Sequence, residues 1–456
     1  MRNITGVVLA AGMGTRMKSE LPKVLHQILG RPMLYYILKT LKNMGIEKIL
    51  VVVGYKHEMI RKAINIEGIE YVVQEPQLGT GHALQVTMPF IREEEGHILV
   101  TCGDMPLLGA DTLKMLIPPP GEPADVGVLY GRPEEPGDMG RLIFSDDNRI
   151  EKIVEVADGG PEIKKIREVN LGAYCFEKGF LRSYLPLLKP SKVKGELYLT
   201  DLVQLAFENG LKIRGIYCED PDEAIGINNR FDLFRAGEKI KKQVMNRLMT
   251  SGVTIIDPAS TFIHPDTEIG RDTVIHPFTI IEGESKIGVH CQVGPFCRIN
   301  NSSIGDHTTV FNSVLLSSDV GSHSNIGPFA YLRPGTRTAD NVKIGDFVEV
   351  KKSFIDEGAK VPHLSYVGDT HIGKGVNIGA GTITCNFDGK RKHKTTIEDN
   401  AYIGANTNLV APVTVGKGAK TGAGAVIIND VPPDSLAVGV PAKIKKKGIS
   451  KESREK

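Results

Sequence analysis

An aliphatic residue recurs every six positions at Ile263, Ile269, Ile275, Ile281, Ile287, Val293 and Ile299. After one-residue corrections the pattern resumes at Ile304, Val310, Val320, Ile326, Leu332, Ile344 and Val350, then at Ile397, Ile403, Leu409 and Val415. Helices repeat at about 3.6 residues and strands at about two, so neither accounts for it. A solenoid of short parallel strands does: each aliphatic side chain fills the interior of a triangular prism. The small residue that often follows, as in Ile269-Gly or Ile403-Gly, fits a tight corner. Cys291 and Cys297, six apart, read as repeated wall positions of the same coil. This repeat defines a domain over residues 251–442.

Residues 1–230 follow a different pattern. Thr5–Ala10, Lys48–Val53 and His97–Thr101 are apolar, β-branched runs, with a helix-like stretch around Met33 to Met44. Strands alternating with helices imply a mostly parallel, doubly wound α/β sheet, Rossmann-like, whose ligands gather at the carboxyl ends of the strands. Between the two domains, residues 231–250 carry apolar residues at helical spacing and read as a linking helix. Residues 443–456 are basic and polar and read as a disordered tail.

Charge excludes some functions. The chain has 56 basic and 54 acidic residues, so no long-range field points to nucleic acid or a membrane surface. No apolar run approaches a membrane span, and the N-terminus reads as a first strand rather than a signal peptide. The six cysteines show no zinc or redox spacing, as expected of structural thiols in a reducing cytosol.

The first strand leads into Leu9-Ala-Ala-Gly-Met-Gly-Thr-Arg-Met17. Glycines there let backbone N–H groups approach a phosphate, and Arg16 and Lys23 add cations. The turn is neither a Walker loop nor a full dinucleotide fingerprint. The longer stretch to Met33 resembles the signature of sugar-1-phosphate nucleotidyltransferases. More narrowly, it resembles the bifunctional UDP-N-acetylglucosamine pyrophosphorylase / glucosamine-1-phosphate N-acetyltransferase family. The resemblance continues through Gln74–His82, Gly103-Asp104, Gly140-Arg141, Ile153–Glu155, Glu168–Asn170, Tyr198–Asp201 and Gly226–Arg230. It implies that Leu9, Ala10 and Gly12 hold uridine and ribose, with Gln74 and the Gly79-Thr80 turn reading uracil. Asp104 and Asn228 would hold Mg2+, and Gly140, Glu155 and Asn170 the sugar. Arg16 and Lys23 would stabilise charge as a sugar phosphate attacks the α-phosphorus of UTP. Leu171 stands where relatives are expected to carry Thr.

In the second half, Tyr331–Gly335, Phe347–Lys352, His363–Tyr366, Gly368-Asp369 and Asn377–Gly389 resemble the acetyltransferase half of that family. Acetylating an amine requires a proton acceptor, and histidine titrates in the right range. The resemblance implies His363 as general base, with Glu349 orienting the amine or that histidine. Arg333, Lys351, Tyr366, Asn377 and Lys392 would hold the sugar phosphate. Ala380, Asn386, Phe387, Ala405, Ala423 and Val440 would line the acetyl-CoA site, with Phe387, Ala405 and Val440 departing from the family pattern. The segment Thr384–Thr396 breaks the hexad and concentrates Lys390, Arg391, Lys392, His393 and Lys394, as phosphate or CoA binding would require. The resemblance further implies a left-handed coil, a cytoplasmic homotrimer, small-molecule substrates, and supply of peptidoglycan and lipopolysaccharide precursors. Two alternatives stay open at this level: a nucleotidyltransferase whose β-helix only assembles it, and a non-enzymatic sugar-nucleotide binding protein.

Overall fold

A computed structural model describes residues 3–91 and 95–446. Residues up to Ile240 form one compact unit and those from Lys241 a second, the division falling inside the helix Arg230–Thr250.

The first unit is built on one twisted sheet. Its strands in chain order are β1 (Ile4–Ala10), β2 (Lys48–Val53), β3 (Ile69–Val73), β4 (His97–Cys102), β5 (Val126–Gly131), β6 (Arg141–Phe144), β7 (Ile150–Val154), β8 (Val169–Glu177) and β9 (Ile213–Tyr217). They lie in the order β9-β5-β8-β4-β1-β2-β3, with β6 and β7 forming a hairpin beside β8. β1, β2, β3 and β4 are mutually parallel, while β8 runs antiparallel to both β4 and β5. Residues Ile49–Val53 are buried without alternation, as a strand covered on both faces requires. The helix Met33–Asn43 buries Met33, Leu34, Ile37, Leu38 and Leu41, a stripe at helical spacing.

The second unit is a left-handed parallel β-helix with three sheets of twelve, ten and nine strands. Ile275 pairs with Val293, Val293 with Val310, Val310 with Ile326, Ile326 with Ile344, and Ile344 with Val361. Every member of that column is essentially inaccessible to solvent. Buried hydroxyls tie consecutive coils: Thr273 accepts from Cys291 N at 3.0 Å, and Thr308 from Ser324 N at 3.2 Å. Cys291 and Cys297 are buried in these walls.

Inward residues missed by the hexad count include Leu315, Ile355, Val361, Val367, Ile372 and Ile378, all buried. Five-residue steps, such as Val350 to Ile355 and Val367 to Ile372, slip the register without interrupting the coil. The disordered tail from residue 443 needs correction. Ala442–Lys446 is a strand, paired antiparallel with Leu436–Gly439, so its backbone groups are satisfied by a sheet edge. Residues 447–456 lie outside the described residues.

Candidate functional sites

The first site forms where β1 and β4 end. Gly14 sits at φ 66°, left-handed backbone that opens the short 3-10 turn Thr15–Met17. A Cβ at Gly14 would fall 2.4 Å from Lys23 Cβ, so the two segments meet only because residue 14 has none. Lys23 Nζ donates to Asp104 Oδ2 at 2.5 Å and to Asn228 Oδ1 at 3.0 Å. Arg16 also donates to Asn228 Oδ1, at 2.8 Å. Residues distant in sequence therefore place two oxygens around one cation, with Arg16 alongside.

Asn228 is held by the start of the helix that follows it. Asn229 Oδ1 accepts from Asp232 N at 2.9 Å, and Asp232 Oδ2 accepts from Asn229 N at 3.2 Å, a reciprocal helix cap. The same Asp232 oxygen accepts from Asn228 N at 2.8 Å. The family motif points to Asn228 but not to this support; the Asn-x-x-Asp spacing of Asn229 and Asp232 carries the signal.

A cleft of about 1010 Å³ opens beside these residues. Its walls include Asp104, Gly140, Glu155, Asn170 and Asn228, expected on the sugar and metal side, and Arg16, expected at the phosphates. Glu155 accepts from Thr200 Oγ1 at 3.2 Å, and burial raises its pKa. A Cβ at Gly140 would lie 3.3 Å from Glu155 Oε1, so a side chain there would crowd that carboxylate. Asn170 Nδ2 donates to Tyr174 Oη at 2.6 Å while its Oδ1 accepts from Gly172 N at 3.1 Å. Cys102 also lines the cleft; burial, then the Asp104 charge, pushes its thiol up to about 12.

The residues expected at the base stand at the same strand end and in the turn tied to it, outside the walls of that cleft. Leu9 and Ala10 close β1, and Gly12 follows with open space where a Cβ would stand. Buried Gln74 donates to Gly79 O at 2.9 Å, closing the 74–79 turn. The Thr80 hydroxyl accepts from Leu199 N at 3.0 Å. Gln77, not singled out beforehand, donates to Ala11 O at 2.7 Å and ties this turn to the phosphate-side loop.

The second site lies along two faces and a corner of the β-helix. Arg333 Nη1 donates to Glu349 Oε1 at 2.7 Å, and Tyr331 and Leu332 pair with Glu349 and Val350 one coil on. The Lys392 ammonium lies close enough to lower the pKa of Lys351, with Arg333 adding to the repulsion. Three cations thus converge on the outside of the coil. Asn386 Nδ2 donates to Asp369 Oδ2 at 2.6 Å and lies 3.5 Å from the Tyr366 hydroxyl. A Cβ at Gly368 would sit 2.5 Å from that hydroxyl, so residue 368 leaves the room that Tyr366 and Asn386 fill. The basic loop is organised by Asp388, which accepts from Lys390 N, Arg391 N and His393 Nε2. Those bonds, the Arg391 amide foremost, depress its carboxyl.

His363 is exposed, and its Nδ1 lies 2.6 Å from Asp346 Oδ1. Glu349, expected to orient the amine or the histidine, bonds Arg333 instead of His363. No motif marks Asp346 in the sequence, because its relation to His363 is one of coil register, seventeen residues away. Asn377 is half-buried on the coil after His363, where its strand pairs with Lys360. Ala380, Ala405 and Ala423 stack at one corner, with Asn406 N donating to Ala380 O and Gly424 N to Ala405 O, both at 2.7 Å. Phe387 and Val440 are exposed.

A doubly wound sheet with a phosphate-side cleft, joined in one chain to a hexapeptide β-helix, defines a two-domain sugar-nucleotide transferase. The family model described as MobA-like NTP transferase domain matches residues 6–161, and bacterial transferase hexapeptide (six repeats) matches 394–429. The chain is 47% identical to the bifunctional protein GlmU of Carboxydothermus hydrogenoformans over 98% of its length and 100% of that protein. It is 47% identical to the GlmU of Heliobacterium modesticaldum, covering 96% of each. It is 45% identical to that of a Thermotoga strain, over 98% of this chain and 99% of that one. The chain belongs to the bifunctional GlmU family. It is an N-acetyltransferase acting on glucosamine 1-phosphate and a uridylyltransferase that converts the product to UDP-N-acetylglucosamine. Among the described residues no helix is long and apolar enough to cross a membrane.

Proposed function

We propose that the two sites divide the reactions as their side chains suggest: uridylyl transfer at the Lys23–Asp104–Asn228 cluster, acetyl transfer at His363. The observation that carries the first assignment is the convergence of Asp104 and Asn228 oxygens on one ammonium. Such hard oxygens suit Mg2+, which takes few protein ligands and completes its shell with water and phosphate oxygens. Asp104 and Asn228 would hold that ion, which when bound supplies charge neutralisation at the phosphoryl oxygens. Arg16 and Lys23 hold the triphosphate; Gly140, Glu155 and Asn170 hold the acetylated sugar. The Leu9–Gly12 segment, Gln74 and the Gly79-Thr80 turn position the uridine. The sugar-phosphate oxygen then attacks the α-phosphorus, and pyrophosphate leaves.

In the β-helix, Arg333, Lys351 and Lys392 bind the phosphate of glucosamine 1-phosphate, assisted by Tyr366 and Asn377. His363 accepts the proton of the attacking amine. Acetyl-CoA lies along the alanine corner, with Asn386, Phe387 and Val440 beside it. The enzyme works as a cytoplasmic homotrimer, prism against prism. The decisive assay pairs acetyl-CoA-dependent thiol release with UTP-dependent pyrophosphate release. His363→Ala should abolish only the first and Asp104→Ala only the second. Loss of both activities in either variant, with the fold intact, would refute the division.

A further inference from the structure

Acetyl transfer requires an unprotonated imidazole nitrogen beside the amine, and the group that selects that nitrogen lies one coil before His363. This inference rests on the reading of His363 as general base. Strands Lys343–Asp346 and Lys360–His363 pair in parallel with Asp346 opposite His363, and Leu364 N donates to Asp346 O at 2.9 Å. Backbone register therefore fixes the carboxylate against the ring, with Oδ1 and Nδ1 2.6 Å apart. An ionised carboxylate can only accept, so Nδ1 carries the hydrogen and Nε2 keeps the lone pair.

We propose that Asp346 is the positioning residue of acetyl transfer, holding His363 as the Nδ1–H tautomer and stabilising the imidazolium that forms when Nε2 takes the amine proton. The amine nitrogen bonds to the thioester carbonyl carbon as the carbon–sulfur bond breaks. The proton passes from the amine to Nε2 and then to the departing CoA sulfur, regenerating neutral His363. Lys343 and Lys360 stand on the same two strands, Lys343 close enough to act on the Asp346 carboxyl, and Glu349 and Lys351 lie on the strand Glu349–Lys351, with Arg333 bonded to Glu349. The coil that follows presents Asn377 and Ala380, which do not titrate. The hydrogen bond from His363 holds the Asp346 carboxyl below the usual range.

The test measures kcat and KM of acetyl-CoA-dependent thiol release by the full-length enzyme for wild type, Asp346→Ala, Asp346→Asn, Asp346→Glu and His363→Ala. Thermal melting and pyrophosphate release serve as controls. Asp346→Ala should lower kcat about 10- to 100-fold, the range for losing a group that orients another. KM for both substrates should stay within about twofold, since the carboxylate bonds the histidine rather than a substrate. Asp346→Asn, able to turn its amide nitrogen toward Nδ1 and favour the wrong tautomer, should lose at least as much. Asp346→Glu should recover part of the rate. Wild-type kcat in Asp346→Ala, a loss carried by KM rather than kcat, or an Asp346→Glu no faster than Asp346→Ala overturns the role of Asp346 while His363→Ala remains inactive. An active His363→Ala overturns the general-base reading itself.

Discussion

Replacing Gly14 by alanine tests how tightly the phosphate-side loop is built. Left-handed backbone at φ 66° costs an alanine roughly 1–2 kcal/mol. The new Cβ would lie 2.4 Å from Lys23 Cβ and 3.2 Å from its Cγ. The nearer atom is fixed to the main chain, so the lysine cannot simply swing its far end away. Overpacking of that kind costs roughly 1–3 kcal/mol, giving a total of roughly 2–5 kcal/mol. The chain can relieve the overlap only by separating the loop from Lys23, which takes Nζ away from Asp104 and Asn228. Where the whole of that cost falls on the site, at about 1.4 kcal/mol per tenfold, kcat/KM for uridylyl transfer should fall between about 30- and 4000-fold. The unit's melting temperature should drop by at least about 4 °C. Pyrophosphate release and differential scanning calorimetry read the two quantities, and thiol release should stay unchanged. A Gly14→Ala enzyme with wild-type melting and kcat/KM would show that the contact between Gly14 and Lys23 does not constrain the site.

Other substitutions probe separate links. Asn229→Ala removes the reciprocal cap with Asp232 and should cost about 1 kcal/mol of stability, with a several-fold loss of uridylyl transfer as Asn228 loosens; calorimetry and pyrophosphate release measure each part. Leu332→Ala empties a fully buried position in the coil and should destabilise the β-helix by roughly 2–5 kcal/mol in denaturant titration. Arg333→Ala should raise KM for glucosamine 1-phosphate more than it lowers kcat, measured by thiol release across sugar-phosphate concentrations. The Cys102 thiol, pushed up to about 12, should alkylate slowly at pH 8 in the native enzyme. Its rate should climb about tenfold per pH unit as the thiolate fraction grows, and fast labelling at pH 8 without unfolding would contradict that shift.

Much of the fold is legible in the sequence because solenoid periodicity is a local signal. Each inward aliphatic residue announces itself at a fixed distance from the last. The count fails between Val350 and Ile397 because five-residue steps and the 384–396 loop shift the spacing while the coil goes on. The tail misreads for the opposite reason: its composition is that of a solvated segment, yet Ala442–Lys446 finds an open sheet edge. Partnerships are less legible than residue types. Arg16, Lys23, Asp104 and Asn228 each stand in recognisable motifs, but only folding brings Asn228 from two hundred residues away onto Lys23. Asp346 carries no motif at all, and only alignment of one coil on the next puts it against His363.

The antiparallel strand at Ala442–Lys446 has a meaning beyond the order it gives those residues. A stack of identical parallel rungs has no intrinsic length; each exposed rung is a template for another, whether it comes from the same molecule or a neighbour. By turning back on Leu436–Gly439, the chain presents a strand of the wrong direction to any incoming parallel coil. The coil has the geometry of a fibre, and on the twelve-stranded sheet this reversal closes the edge at which it would grow.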